Sequence, residues 1–172
     1  MNSNREKLNA IIQELTDDAV FELTFYAKEI KSRYEFKDKM DKKGVGLTYI
    51  GNAEVRKRWE DTFTNSISQS KKNEIFLHQY LWHIFSYKVL PCKEKEKAIE
   101  AFNTVKKNKM YVFYQNTYSY SLENAENITT EDFKGERDIY IVNEDFTWTY
   151  IQTHEQEAGL GPYFFELYKH RS

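Results

Sequence analysis

Apolar residues in the first forty positions recur every three to four residues, the spacing of a helix face. Leu8, Ile11, Ile12 and Leu15 form one stripe, and Ser3 with Glu6 has the arrangement of a capping box at its start. Thr16-Asp17-Asp18 is a second N-terminal signal, followed by Val20, Leu23, Ala27 and Ile30, joined by Phe21, Phe25 and Tyr26. This predicts a short helix and then a longer one to about Lys39, together a helical hairpin that packs on a core or on a copy of itself. Three of the six glycines fall between Asp41 and Asn52, which marks a linker. Gly44-x-Gly46 lacks the third glycine and the Lys-Ser/Thr pair of a phosphate loop. Beyond it, Asn52 opens a helix with Val55, Trp59, Phe63 and Ile67 at four-residue steps.

From Ile75 the composition turns β-branched and aromatic, and Trp82–Tyr87 is expected as a strand ended near Pro91. Glu94–Lys107 reads as a helix with Ala98, Ile99, Phe102 and Val105 inward, and Met110–Tyr114 as a strand. A polar aromatic loop at 116–127 and a helical turn opened by Thr129-Thr130-Glu131-Asp132 follow. Asp138–Val142 and Phe146–Ile151 alternate around Asn143-Glu144-Asp145, a hairpin signature that puts Phe146, Trp148 and Tyr150 on one face. Tyr163–Tyr168, after Gly159-Leu160-Gly161-Pro162, is expected as a last strand. The fold class is therefore α+β: an N-terminal helical hairpin, then a mostly antiparallel sheet of about 4–5 strands packed against helices on one face. Its expected parts are a helical module over 1–42 suited to dimerisation, a linker over 43–52 and an α+β domain over 53–172.

Composition narrows the function classes. The 172 residues carry Lys+Arg 25 against Asp+Glu 27, a net charge of -2, which argues against nucleic acid as the default partner. The N-terminus is polar and no stretch has the length and apolarity of a spanning helix, so a cytoplasmic protein without membrane contact is expected. The single cysteine, Cys92, excludes an internal disulfide, and the four histidines lack metal-ligand spacing. No metal or cofactor is called for. The near-neutral total hides an asymmetry: Leu122–Glu157 holds ten acids against Lys134 and Arg137, a local charge of -8. With Tyr118 and Tyr120 among them, these acids form a candidate surface for a basic protein partner, in which Glu131, Asp132, Glu144 and Asp145 steer and the tyrosines supply contact area. An acidic face that serves solubility alone is the alternative reading.

Candidate chemistry centres on Thr153-His154-Glu155, where a strand gives out before a glycine-proline turn. An imidazole beside a carboxylate has the make-up of a general base, although neighbours on a strand point to opposite faces, so Glu155 orients His154 only if the strand has already ended. His83 is a weaker candidate, read as a hydrogen-bonded, half-buried histidine of the strand. His170 reads as tail. Cys92 follows Pro91 at an expected helix start, where a thiolate is favoured, but nothing in the sequence brings it to His154.

Several of these motifs, taken in order, resemble one family. Arg58-Trp59 with Phe63, Leu81-Trp82-His83-Ile84-Phe85-Ser86-Tyr87, Ala101-Phe102-Asn103, Asp138-Ile139-Tyr140, Phe146-Thr147-Trp148-Thr149-Tyr150, Thr153-His154-Glu155 and Gly161-Pro162-Tyr163-Phe164 are similar to the bacterial family called domain of unknown function 4275. The resemblance covers about residue 54 to the end. It implies a small α+β domain and no particular activity, with Trp82-His83, Trp148 and Thr153-His154-Glu155 as the residues a shared site or a shared core would pass on.

Two expectations result. The first is a non-catalytic interaction domain of the immunity, antitoxin or inhibitor kind, working through its acidic aromatic surface and associating as a homodimer through residues 4–40. The alternative is a small hydrolase or ligand-binding domain centred on His154 and Glu155.

Overall fold

The computed structural model describes residues 3–115 and 117–167. Backbone contacts divide the chain into two compact units, Met1–Lys42 and Lys43–Ser172. The expected tail residue His170, and Tyr168 of the expected last strand, lie outside the described residues.

The first unit is helical. At the start of α1 (Asn4–Glu14), Ser3 Oγ accepts the Glu6 N–H at 3.3 Å and the Glu6 carboxylate accepts the Ser3 N–H at 2.8 Å. Two amides that a helix start leaves open are thereby satisfied. Leu15 is extended, and Thr16 Oγ1 then accepts the Ala19 N–H at 3.4 Å to open α2 (Asp17–Lys42). Hairpin packing does not follow: α1 buries no residue and α2 buries only Met40. The helices hold through caps and i,i+4 ion pairs, among them Lys31–Glu35 at 3.6 Å and Lys37–Asp41 at 2.7 Å.

The second unit is built on a seven-stranded sheet, larger than the four or five strands expected. Its strands are β1 (Gly46–Ile50), β2 (Lys93–Glu94), β3 (Met110–Tyr114), β4 (Ser119–Glu123), β5 (Ile139–Asn143), β6 (Trp148–Gln152) and β7 (Tyr163–Glu166). They lie in the order β1-β4-β3-β5-β6-β7-β2 with every pairing antiparallel. The extra strands come from segments read as connectors. The expected linker carries β1, and the expected aromatic loop carries β4, whose Ser-Tyr-Ser-Leu alternation has the period of a strand under serines small enough to resemble a turn.

Helices cover both faces of the sheet, where one was expected. On one face α3 (Asn52–Phe63) lays Val55, Trp59 and Phe63 against Phe113, Tyr140, Val142 and Ile151. The buried Trp59 indole donates to Thr149 Oγ1 at 2.9 Å, so the bulkiest core group leaves no polar atom unmatched. On the other face α6 (Glu96–Thr104) sets Phe102 on Tyr150 and Trp148, with ring centroids 4.5 and 5.9 Å apart. A 3₁₀ turn, Thr130–Phe133, adds Phe133 beside Phe102.

Two local expectations fail for identifiable reasons. Trp82–Tyr87 is not a strand: α4 (Gln69–Glu74) leads through turns into a four-residue helix, α5 (His83–Ser86). Leu77, Leu81, Ile84 and Phe85 are buried at helical spacing, and packing on the sheet overrides the β propensity of these side chains. Phe146 leaves the face of Trp148 and Tyr150. Asn143 Oδ1 accepts the Thr147 and Trp148 N–H groups at 2.8 and 3.1 Å, Phe146 takes φ 56°, and the strand restarts only at Trp148. The ring swings to the α3 side, beside Tyr111 and under the Arg58 guanidinium at 4.1 Å.

Candidate functional site

Register explains why a site forms at the ends of β5 and β6. Ile139 pairs with Gln152, so the residue before β5, Asp138, lies beside the residues that follow β6. Asp138 has φ 51°, in the left-handed region that aspartate tolerates better than most residues. Its carboxylate meets His154 Nδ1 at 2.9 Å from both oxygens, accepts the His154 backbone N–H at 3.2 Å, and accepts the Trp82 indole N–H at 3.1 Å. Three segments distant in sequence therefore converge on one carboxylate.

β6 ends at Gln152, so the alternation that set Glu155 against His154 no longer holds there. Glu155 Oε1 lies 3.5 Å from His154 Nε2, on the outer side of the ring. The group that orients His154 is nevertheless Asp138, which sequence reasoning missed. Its signal was present: a hairpin register places the residue opening one strand beside the residue closing the other. The side chain of His154 is 31% exposed and that of Asp138 19%, a partly shielded pair rather than a surface ion pair.

Aromatic rings frame the pair. Tyr80 lies 5.0 Å from the His154 ring and 5.4 Å from Trp82, with centroids as reference points. His83 joins the cluster at 4.5 Å from Trp82, from a helix rather than the expected strand. Its Nδ1 lies 2.8 Å from the Ile75 carbonyl and 3.1 Å from that of Phe76, so its ring is held by backbone. His78 is exposed.

His154 lines an open cavity of about 510 Å³ together with Glu131, Lys134, Arg137, Tyr150 and Gln152. Gln152 is fixed there by donating to the Phe133 and Glu136 carbonyls at 3.2 and 3.4 Å. Cys92 lines a different cavity with Pro91 and Phe164. It precedes β2 rather than a helix, and burial, then the charge of Glu94, pushes its thiol up to about 12, the reverse of the thiolate expected. Among the described residues, no three of His, Cys, Asp and Glu converge as a metal site, and no helix is long and apolar enough to cross a membrane.

The expected partner surface is only partly a surface. Glu131, Glu144 and Asp145 are exposed, with Glu144 3.5 Å from Lys109. Tyr118 is half-buried, 4.9 Å from the Tyr114 ring. Tyr120 and Asp132 are buried, at 1% and 5% exposure. Tyr120 sits in β4 among Tyr49, Tyr114 and Tyr118, while Asp132 accepts the Thr129 N–H at 2.9 Å and pairs with Lys43 at 2.7 Å. Both work inside the fold.

No curated protein and no solved structure matches the chain. A family model matches residues 34–164, beginning earlier than the motifs alone indicated, inside α2. Trp82, Asp138 and His154, which meet at the site, all fall within that span, and the chain belongs to the family described as Domain of unknown function (DUF4275).

Proposed function

We propose that this domain binds a small polar ligand in the cavity beside His154, and that His154 serves there as the proton acceptor for hydrolysis. The observation that carries this reading is the contact of His154 Nδ1 with both oxygens of Asp138 at 2.9 Å, in the wall of a cavity of about 510 Å³. An ionised carboxylate only accepts hydrogen bonds, so it takes the Nδ1–H and leaves the lone pair of the neutral imidazole on Nε2. A proton gained by Nε2 faces Glu155 Oε1 at 3.5 Å, while Nδ1–H stays on Asp138.

The neighbouring Thr153 hydroxyl is committed to the Leu160 carbonyl and Cys92 lines another cavity, and the nucleophile in this reading is water. His154 Nε2 takes a proton from water, the water oxygen attacks an acyl or phosphoryl centre, and the proton is returned to the leaving group. Lys134 and Arg137 in the cavity lining are placed to meet an anionic part of the ligand.

The interaction reading is less well supported, because two of its six residues are buried. The test is hydrolysis of a panel of nitrophenyl acyl and phosphate esters by the full chain, His154→Gln and Asp138→Asn, with circular dichroism to confirm the fold. Turnover that disappears in His154→Gln and falls in Asp138→Asn is expected. Equal rates in all three chains, or a protein partner bound through Glu131, Glu144 and Asp145 with no effect of His154→Gln, would overturn the proposal.

A further inference from the structure

We infer that α2 is a self-association helix through which two copies of this chain pair antiparallel. Val20, Leu23, Ala27, Ile30 and Tyr34 alternate steps of three and four, the a/d spacing of a two-helix seam. Ile30 is 46% exposed and Tyr34 70%, Ala27 is exposed, and Tyr26 flanks the seam at 64%. Phe21 and Phe25 are also exposed, but they lie off the seam and pack edge to face on each other at 5.0 Å. Val20 and Leu23 are half-buried, so the open part of the stripe is Ala27, Ile30 and Tyr34, flanked by Tyr26, more apolar surface than solubility needs.

Charge names the occupant and its direction. Residues 17–29 carry Asp17, Asp18, Glu22 and Glu29 against Lys28, a net of -3, whereas residues 30–42 carry five bases against Glu35, Asp38 and Asp41, a net of +2. Antiparallel pairing of two copies sets the acidic half of each helix along the basic half of the other. Parallel pairing stacks like on like and is disfavoured by the same charges. With the two-fold axis at Ala27, the small residue sits at the crossing point and Val20 of one copy faces Tyr34 of the other. The seam from Val20 to Tyr34 is about 21 Å long at 1.5 Å per residue, which suits a reversible dimer rather than a permanent one.

Sedimentation of the full chain over a range of concentrations tests the association, and oxidative cross-linking in a Cys92→Ser background tests the direction. Expected are a weight-average mass that climbs towards twice the chain mass for the wild type and stays at the chain mass for Ile30→Asp. An Ala27→Cys chain cross-links to itself, Val20→Cys alone does not, and Val20→Cys mixed with Tyr34→Cys does. Circular dichroism confirms that each variant keeps its helix content. A monomeric wild type at every concentration, a dimer that survives Ile30→Asp, or Val20→Cys chains that cross-link to each other would overturn the inference.

Discussion

Asp138 holds His154 and Trp82 at once: one carboxylate accepts from the imidazole at 2.9 Å and from the indole at 3.1 Å. Replacing Asp138 with Ala leaves the Trp82 N–H, on a residue only 2% exposed, without its acceptor and frees the His154 ring. A buried donor stripped of its partner costs about 1–3 kcal/mol, and urea unfolding should show a loss of that order. Trp82 fluorescence should shift in the folded protein, and Asp138→Asn, which keeps an acceptor oxygen, should restore part of the stability.

Gly161 controls the backbone next to the site. It has φ +94°, and a Cβ built there would lie 3.1 Å from Thr153 Cγ2 and 3.3 Å from Thr153 Oγ1. Gly161→Ala therefore meets both an unfavourable backbone region and a crowded neighbour, and about 1–2 kcal/mol of stability should be lost. Because Thr153 precedes His154, the amide resonance of His154 should move as well, whereas Gly135→Ala, at φ +90° with no atom within 4 Å of the added carbon, should leave it in place.

Lys107 is 3% exposed and closes the end of α6 by donating to the Phe102 and Val105 carbonyls at 2.6 and 3.1 Å. Lys107→Met removes the donor from buried carbonyls and should cost about 1–3 kcal/mol in urea unfolding. Burial lowers the Lys107 pKa below its ordinary 10.5. The unfolded chain then holds the extra proton between the lowered value and 10.5, so the contribution of Lys107 to stability rises with pH across that window. The difference between wild type and Lys107→Met should widen in favour of the wild type as pH approaches 10.5.

With its thiol pushed up to about 12, Cys92 is almost wholly protonated at pH 8. Alkylation by iodoacetamide should be at least about tenfold slower in the folded chain than in urea, because the thiolate is the reactive form. The raised value also stabilises the fold: that contribution is complete below pH 9 and disappears as pH climbs through about 12. Cys92→Ser should be less sensitive to alkaline unfolding than the wild type.

Much of the fold was legible wherever one signal dominated. The capping box at Ser3, the α3 stripe of Val55, Trp59 and Phe63, and the β5–β6 hairpin all follow from local spacing. What escaped was decided by distant partners. Ile84 and Phe85 read as strand by propensity and form a short helix instead, both side chains packed into the core against the sheet. β1 and β4 were hidden by glycine and serine, which form strands here because each has a neighbour to pair with. At the site, Thr153-His154-Glu155 was visible as a cluster. Asp138 was not, since its role depends on strand register, and Tyr120 and Asp132 looked exposed only because polar atoms hide burial from a sequence reader.

Chain order and spatial order run against each other in this sheet. β1 and β2, the first strands to be synthesised, are its two outer strands, and each waits for a partner made later: β1 for β4, β2 for β7. The middle, β3 with β5 and β6, comes from the second half of the chain. A ribosome therefore releases most of the polypeptide before the sheet can close, and its edge pairings, β1 with β4 and β2 with β7, join segments far apart in sequence, which slows assembly of a single domain. Truncation before β7 strands β2 and should leave a chain that cannot complete its sheet, rather than a smaller version of the same fold.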